Sequence, residues 1–163
     1  MGATAMPRPL AEEILRCIDQ AGQLYYRLVL LVGPAGTGKT AALHDIHEST
    51  KIPLVNVNLE LSRRMLDLTE RQRVLQLSDF LQDIVSASSA DAILLDNIEM
   101  LFDLSLEHDP LRLLQGLSRN KTVVASWCGS VMGGHILYAT PGHAEYRRYP
   151  VKDFLLVCTE FDR

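Results

Sequence analysis

The chain has no apolar run approaching the roughly 20 residues that span a bilayer, and its 163 residues contain no internal repeat or low-complexity tract. Cysteine is scarce. Cys17, Cys128 and Cys158 are odd in number and lack metal or dithiol spacing, which excludes a disulfide framework and reads as reduced thiols in a cytosol. The first twenty residues include Glu12 and Glu13 and lack an apolar core, so no secretory signal is expected. An excess of positive charge is also missing. With 16 Lys and Arg against 20 Asp and Glu, the net charge of −4 argues against a domain-wide nucleic-acid surface. A local basic patch stays open.

What is present is an ordinary globular composition, 47% hydrophobic and 22% charged. No linker divides the chain, so a single domain over residues 1–163 is expected, with 1–9 flexible and a first helix over 10–22. A chain of this length buries roughly 70% of its unfolded surface without a staple. Residues 10–21 place Leu10, Ile14, Leu15 and Ile18 at helical spacing. Short, nearly all-apolar runs at 27–32, 91–96, 122–127 and 153–158 read as strands buried on both faces, with 52–58 as a further strand. Helices are predicted at 39–49, after a capping box at Thr69–Gln72, and over 106–117; 134–140 reads as a short strand or hairpin arm. This alternation predicts an α/β fold: a mainly parallel five-stranded sheet with helices on both faces.

The stretch "LLVGPAGTGKT", Leu30 to Thr40, is the most informative in the chain. Glycines at 33, 36 and 38 permit backbone conformations in which successive amides point inward at a helix N-terminus, a cradle for polyphosphate. The spacing Gly33-x-x-x-x-Gly38-Lys39-Thr40 fits the P-loop (Walker A) pattern in full. Gly33, Pro34, Ala35, Gly36, Thr37, Gly38, Lys39, Thr40 and Ala41 are therefore the expected nucleotide-binding residues. Lys39 would offset phosphate charge, and Thr40 would ligate Mg²⁺. A lysine there without an anion would be a buried, unpaired cation.

"AILLD", ending at Asp96, has the Walker B form, an apolar strand that delivers a carboxylate to the metal through a water. Together these features resemble the AAA+ ATPases, which place a glutamate directly after that aspartate; here the position is Asn97. Glu99, three residues beyond Asp96, and Glu60, at the expected end of the second strand, are the two candidate general bases, each weighed against a solvated surface glutamate. Ser126, ending the fourth strand, holds the sensor position of that superfamily or is simply a strand-end serine. Arg147 and Arg148, before the last strand, are candidates for an arginine finger acting in trans, or for a solvated loop. Arg63, Arg64, Arg71 and Arg73 are interspersed with Glu60, Asp67 and Glu70 and read as a salt-laced surface. His44 and His47 share a helix face but lack a third metal ligand.

Three longer segments, "VNVNLELSRRMLDLTERQR", "ILLDNIEMLFDLSLEHDPLRLLQGLSRNKTVVASW" and "GHAEYRRYPVKDFLLV", make the chain similar to the BrxF family, the small P-loop proteins of type 3 bacteriophage-exclusion (BREX) systems. The resemblance covers about residues 10–158. It implies an ASCE-type, three-layer P-loop NTPase fold that binds ATP and Mg²⁺ through Gly33–Thr40 and Asp96. It further implies a bacterial cytoplasmic setting and protein partners among the other BREX components, with a homo-oligomer open. Direct nucleic-acid contact is not indicated, nor is a membrane. The chain ends at Arg163, so no C-terminal helical lid is expected, and completion of the site by another subunit is. The implied role is a weak or partner-stimulated ATPase that works as a switch or assembly subunit. The alternatives are a non-catalytic ATP-binding scaffold and a small-molecule P-loop kinase.

Overall fold

The computed structural model describes residues 9–159. The expectation for residues 1–9 falls outside these, apart from Pro9, which opens helix α1 (Pro9–Ala21). Strand β1 (Leu28–Gly33) leads through the glycine-rich loop into α2 (Lys39–Thr50), followed by the short β2 (Leu54–Asn56). Helices α3 (Val57–Met65) and α4 (Glu70–Ser86) precede β3 (Ala92–Asp96). Two 3₁₀ turns, Glu99–Phe102 and Leu104–Leu106, then lead into α5 (Pro110–Leu117). The remaining strands are β4 (Thr122–Met132), β5 (His135–Tyr138), β6 (Arg147–Pro150) and β7 (Leu155–Cys158).

Five strands form a parallel sheet in the order β2-β3-β4-β1-β7. Every residue of β1 and β3 is buried, because the sheet is covered on both faces. Alternation sorts their side chains. Leu28, Leu30 and Val32 pack with Ile93, Leu95, Val123, Ala125 and Trp127 beneath α3, α4 and α5. Val29, Leu31, Leu94 and Val124 pack with Ile14, Leu43 and Ile46 of α1 and α2. Three layers result, as the sequence predicts.

Three elements differ from expectation. The second strand stops at Asn56, whose side chain accepts from Leu59 N and caps a helix. Val57, Leu61 and Met65 then recur every four residues as the buried stripe of α3, so the apparent alternation of Val55, Val57 and Leu59 does not decide the conformation. The 106–117 segment is helical only from Pro110, where Asp109 caps and proline takes the first turn. The sheet also has an antiparallel part, in which β5 is the hairpin arm expected at 134–140 and β6 is a strand the sequence did not suggest. β4 runs on past Trp127, turns at Gly133-Gly134 into β5, and β5 pairs with β6, so Arg147 and Arg148 lie in a strand and not in a loop. The predicted capping box is present, with Thr69 Oγ1 accepting from Gln72 N and Gln72 Oε1 from Thr69 N. No helix of the described residues is long and apolar enough to cross a membrane.

Candidate nucleotide-binding site

The parallel strands bring the glycine-rich loop and Asp96 to one edge of the sheet, beyond the strand ends, where open α/β sheets place their ligands. Gly36 and Gly38 take φ of 80° and 99°, a region closed to most side chains; Gly38 turns the chain into α2 with its first amides unobstructed. Just past β7, Thr159 Oγ1 donates to Thr37 Oγ1 at 2.8 Å, and Thr37 Oγ1 donates to Pro34 O at 2.6 Å, which ties the loop to the sheet end.

Lys39 is only 6% exposed. Its Nζ donates to Gly33 O at 2.6 Å and to Pro34 O at 2.8 Å. This corrects the expectation of an unpaired cation: the loop's own carbonyls solvate the ammonium. The charge remains and adjoins the cleft, but burial alone does not require an anion.

Asp96 is 7% exposed and accepts three hydrogen bonds. Thr40 Oγ1 donates to Oδ2 at 2.7 Å, Ser126 Oγ to Oδ1 at 2.7 Å, and Asn97 N to Oδ1 at 2.9 Å. A hydroxyl and a carboxylate, both hard oxygen ligands, thus meet at one point beside the phosphate loop, a donor set that suits Mg²⁺. A cleft of ≈ 270 Å³ opens here, lined by Ala35, Gly36, Gly38, Lys39, Thr40, Ala41, Asp96, Asn97, Glu99 and Cys128.

The structure separates the two candidate bases. Glu99 lines the cleft. Glu60 does not: it sits one turn into α3, where Arg63 (3.1 Å) and Arg64 (2.7 Å) take its carboxylate. The strand-end placement of Glu60 is therefore corrected, because the strand ends before it. Of the residues read as a salt-laced surface, Glu60 with Arg63 and Arg64 supplies the ion pairs found among the described residues, while Arg73 donates to the Leu68 carbonyl instead. Ser126 is buried, and its hydroxyl is committed to Asp96. Arg147 lies on β6 beside Tyr138, is not among the cleft residues, and its Nε is buried without a hydrogen-bond partner among the described residues. His47 Nδ1 bonds Ile52 O, and no group of three metal-ligating side chains occurs among the described residues.

Two contributors escape the sequence reading. Asn58 Nδ2 donates to Glu99 Oε1 at 3.1 Å, while Asn58 Oδ1 accepts from Met100 N and Asn58 N donates to Asn97 O. This one side chain fixes the turn after β3 and aims Glu99. Asn97 permits that turn by taking φ of 54°, which asparagine tolerates better than most residues. Cys128, the residue after Trp127 on β4, faces Glu99 and Lys39. Burial raises its thiol pKa, Glu99 raises it further, and Lys39 lowers it. Tyr138 is pushed up to about 12 by burial and then by Glu99. The helical start at Asn56 is the signal that would have brought Asn58 to the site.

A search of curated proteins returns no match. Among solved structures, PCH-2 from C. elegans is similar at 16% identity (TM-score 0.41), covering 72% of this chain and 36% of that one. AMPPCP-bound DnaA from Aquifex aeolicus is similar at 18% identity (TM-score 0.43), covering 95% and 46%. The Drosophila ORC bound to DNA is similar at 19% identity (TM-score 0.46), covering 91% and 41%. The chain thus spans less than half the length of each. The model of the ATPase family associated with various cellular activities (AAA) matches residues 29–119, more than half of the 163 residues. That match contains the glycine-rich loop, Lys39, Thr40, Asp96 and Glu99, and the chain belongs to the AAA family.

Proposed function

We propose that this protein binds Mg·ATP in the cleft between the glycine-rich loop and Asp96, and hydrolyses it slowly until a partner stimulates it. The observation that carries this reading is the 2.7 Å contact between Thr40 Oγ1 and Asp96 Oδ2, beside a lysine already lodged in the loop. The amides of residues 35 to 41 would hold the phosphates, and Lys39 would draw on its charge by exchanging carbonyl contacts for phosphate oxygens. Thr40 and Asp96 would hold Mg²⁺, which supplies Lewis-acid charge neutralisation. Ser126 and Asn97 N restrain Asp96, so that its outer oxygen stays aimed at the cleft. Glu99, aimed by Asn58, is the candidate base for the attacking water.

The resemblance of three long segments to the BrxF family supports a role as a switch or assembly subunit in bacteriophage exclusion, in the bacterial cytoplasm and with other BREX components as partners. Nucleotide would shift a partner-binding state only as far as the partner distinguishes loaded from empty protein. Arg147 is proposed as a finger supplied to a neighbouring copy, since it lies away from its own cleft.

Titration of the purified chain with a fluorescent ATP analogue, with and without Mg²⁺, is expected to show magnesium-dependent binding that Lys39→Ala abolishes. Absence of binding at millimolar nucleotide would overturn the proposal. For the cellular role, loss of phage exclusion on deletion of this gene alone from a complete system is expected. Undiminished exclusion would remove that assignment while leaving nucleotide binding intact.

A further inference from the structure

A second concavity lies away from the phosphate cleft, between α4 and α5. It comprises two contiguous cavities of ≈ 540 and ≈ 150 Å³ that share Gln82, Gly116 and Leu117, the larger exceeding the ≈ 270 Å³ of the nucleotide cleft. Its floor is partly apolar, with Val85, Leu113 and Leu117. Three cations line it, Arg112 on α5 and Arg119 and Lys121 just beyond, and no carboxylate does. This is the reverse of the chain's overall balance of −4.

The cations are placed rather than neutralised by carboxylates. Lys121 Nζ donates to Val85 O and Ser88 O at the end of α4, and Arg119 lies 4.7 Å from the centre of the Tyr25 ring. Arg112 has no side-chain hydrogen bond or ion pair among the described residues. Between Arg112 and Arg119 stands Gly116, in the last turn of α5, where glycine is a weaker helix former than alanine. A Cβ added there would meet no atom within 4 Å, so neither crowding nor a left-handed turn accounts for the glycine. The open space above it admits a backbone at close range.

From these features we infer that the α4–α5 groove is a docking site for an extended acidic segment of a partner protein. The segment's carboxylates pair with Arg112 and Arg119 at the two ends, and a small or apolar side chain sits over Gly116. The floor favours a peptide over nucleic acid: no aromatic ring lines the groove to stack a base, and three cations give few phosphate contacts.

The test uses the full chain and fluorescence anisotropy with three probes. These are a fluorescein-labelled octapeptide of glutamate and leucine around a central alanine, its lysine counterpart, and a single-stranded oligonucleotide. The glutamate peptide is expected to bind and the other two not to. Gly116→Leu should hold or raise the melting temperature, since leucine is the better helix former and the site is open, yet weaken peptide binding about tenfold or more by filling the groove. Arg112→Glu with Arg119→Glu should weaken it similarly through like-charge repulsion. Both variants keep magnesium-dependent ATP binding, which separates this site from the phosphate cleft. The inference is overturned if the lysine peptide or the oligonucleotide binds as well as the glutamate peptide. Unchanged affinity in a folded Gly116→Leu chain also overturns it.

Discussion

Replacing Asp96 in two ways separates its structural role from its proposed metal role. The buried carboxylate serves three donors: Thr40 Oγ1, Ser126 Oγ and Asn97 N. In Asp96→Asn the amide oxygen can keep the Ser126 and Asn97 bonds, while Nδ2 donates to Thr40 Oγ1, whose hydroxyl turns to accept. The hydrogen-bond count is preserved and only charge assistance is lost, about 1 kcal/mol, or roughly 2–4 °C of melting temperature at this chain length. Asp96→Ala strands the Ser126 hydroxyl, which is 1% exposed, and the Asn97 amide. At about 1–3 kcal/mol for each of the two unsatisfied groups, the loss is about 2–6 kcal/mol, or roughly 4–24 °C. Differential scanning fluorimetry reads both, and ligand sharpens the contrast. Nucleotide at 100 times its dissociation constant stabilises by about 2.7 kcal/mol, or roughly 5–10 °C. Wild type should show that rise with Mg·ATP, and Asp96→Asn should lack its magnesium-dependent part. If Asp96→Asn melts as low as Asp96→Ala, the hydrogen-bond account is wrong. If it keeps the whole magnesium-dependent rise, Asp96 holds no metal.

Other expectations follow from the same geometry. Lys39→Ala should lose nucleotide affinity and also lower the melting temperature, because Nζ bridges two loop carbonyls; circular dichroism melts without nucleotide check the second effect. Glu99→Gln should slow single-turnover hydrolysis by about 10²-fold or more, whereas Glu60→Gln should leave it unchanged; the reverse result would return the base to α3. Cys128 should react with iodoacetamide more slowly than a free thiol at neutral pH, since burial and Glu99 raise its pKa and less thiolate is present. Removing the Glu99 charge should speed that alkylation, read by peptide mass spectrometry. Above about pH 10 the chain should lose stability. The Tyr138 phenol ionises near pH 10 when unfolded but at about 12 in the fold, so the native state holds the extra proton and stability falls as pH rises through that window. A flat alkaline melting profile would contradict this.

The phosphate loop and Asp96 were legible in the sequence because backbone geometry fixes their spacing: a buried strand, glycines at the turn, a lysine and hydroxyl opening the helix. The three layers were legible for a related reason, since strands buried on both faces read as unbroken apolar runs. The region between Ile52 and Met65 was not. Val55, Val57 and Leu59 alternate like a strand, yet Asn56 caps a helix whose buried stripe is Val57, Leu61 and Met65, and Leu59 is left outside. That one boundary displaced Glu60 and concealed Asn58. Cys128 was visible only as a lone thiol, since its proximity to Glu99 and Lys39 arises from strand order, which brings β4 between β1 and β3.

The length of β4 carries a mechanical consequence. Eleven residues extend about 36 Å, and the same strand pairs with β1 and β3 in one half and with β5 in the other. Ser126, fifth along it, grips the Asp96 carboxylate. One continuous strand therefore joins the β4–β5 tip, through Ser126, to the Asp96 carboxylate, so a displacement imposed at the tip would have a direct covalent path as far as Ser126, whose hydrogen bond passes it to the oxygens proposed to hold the metal.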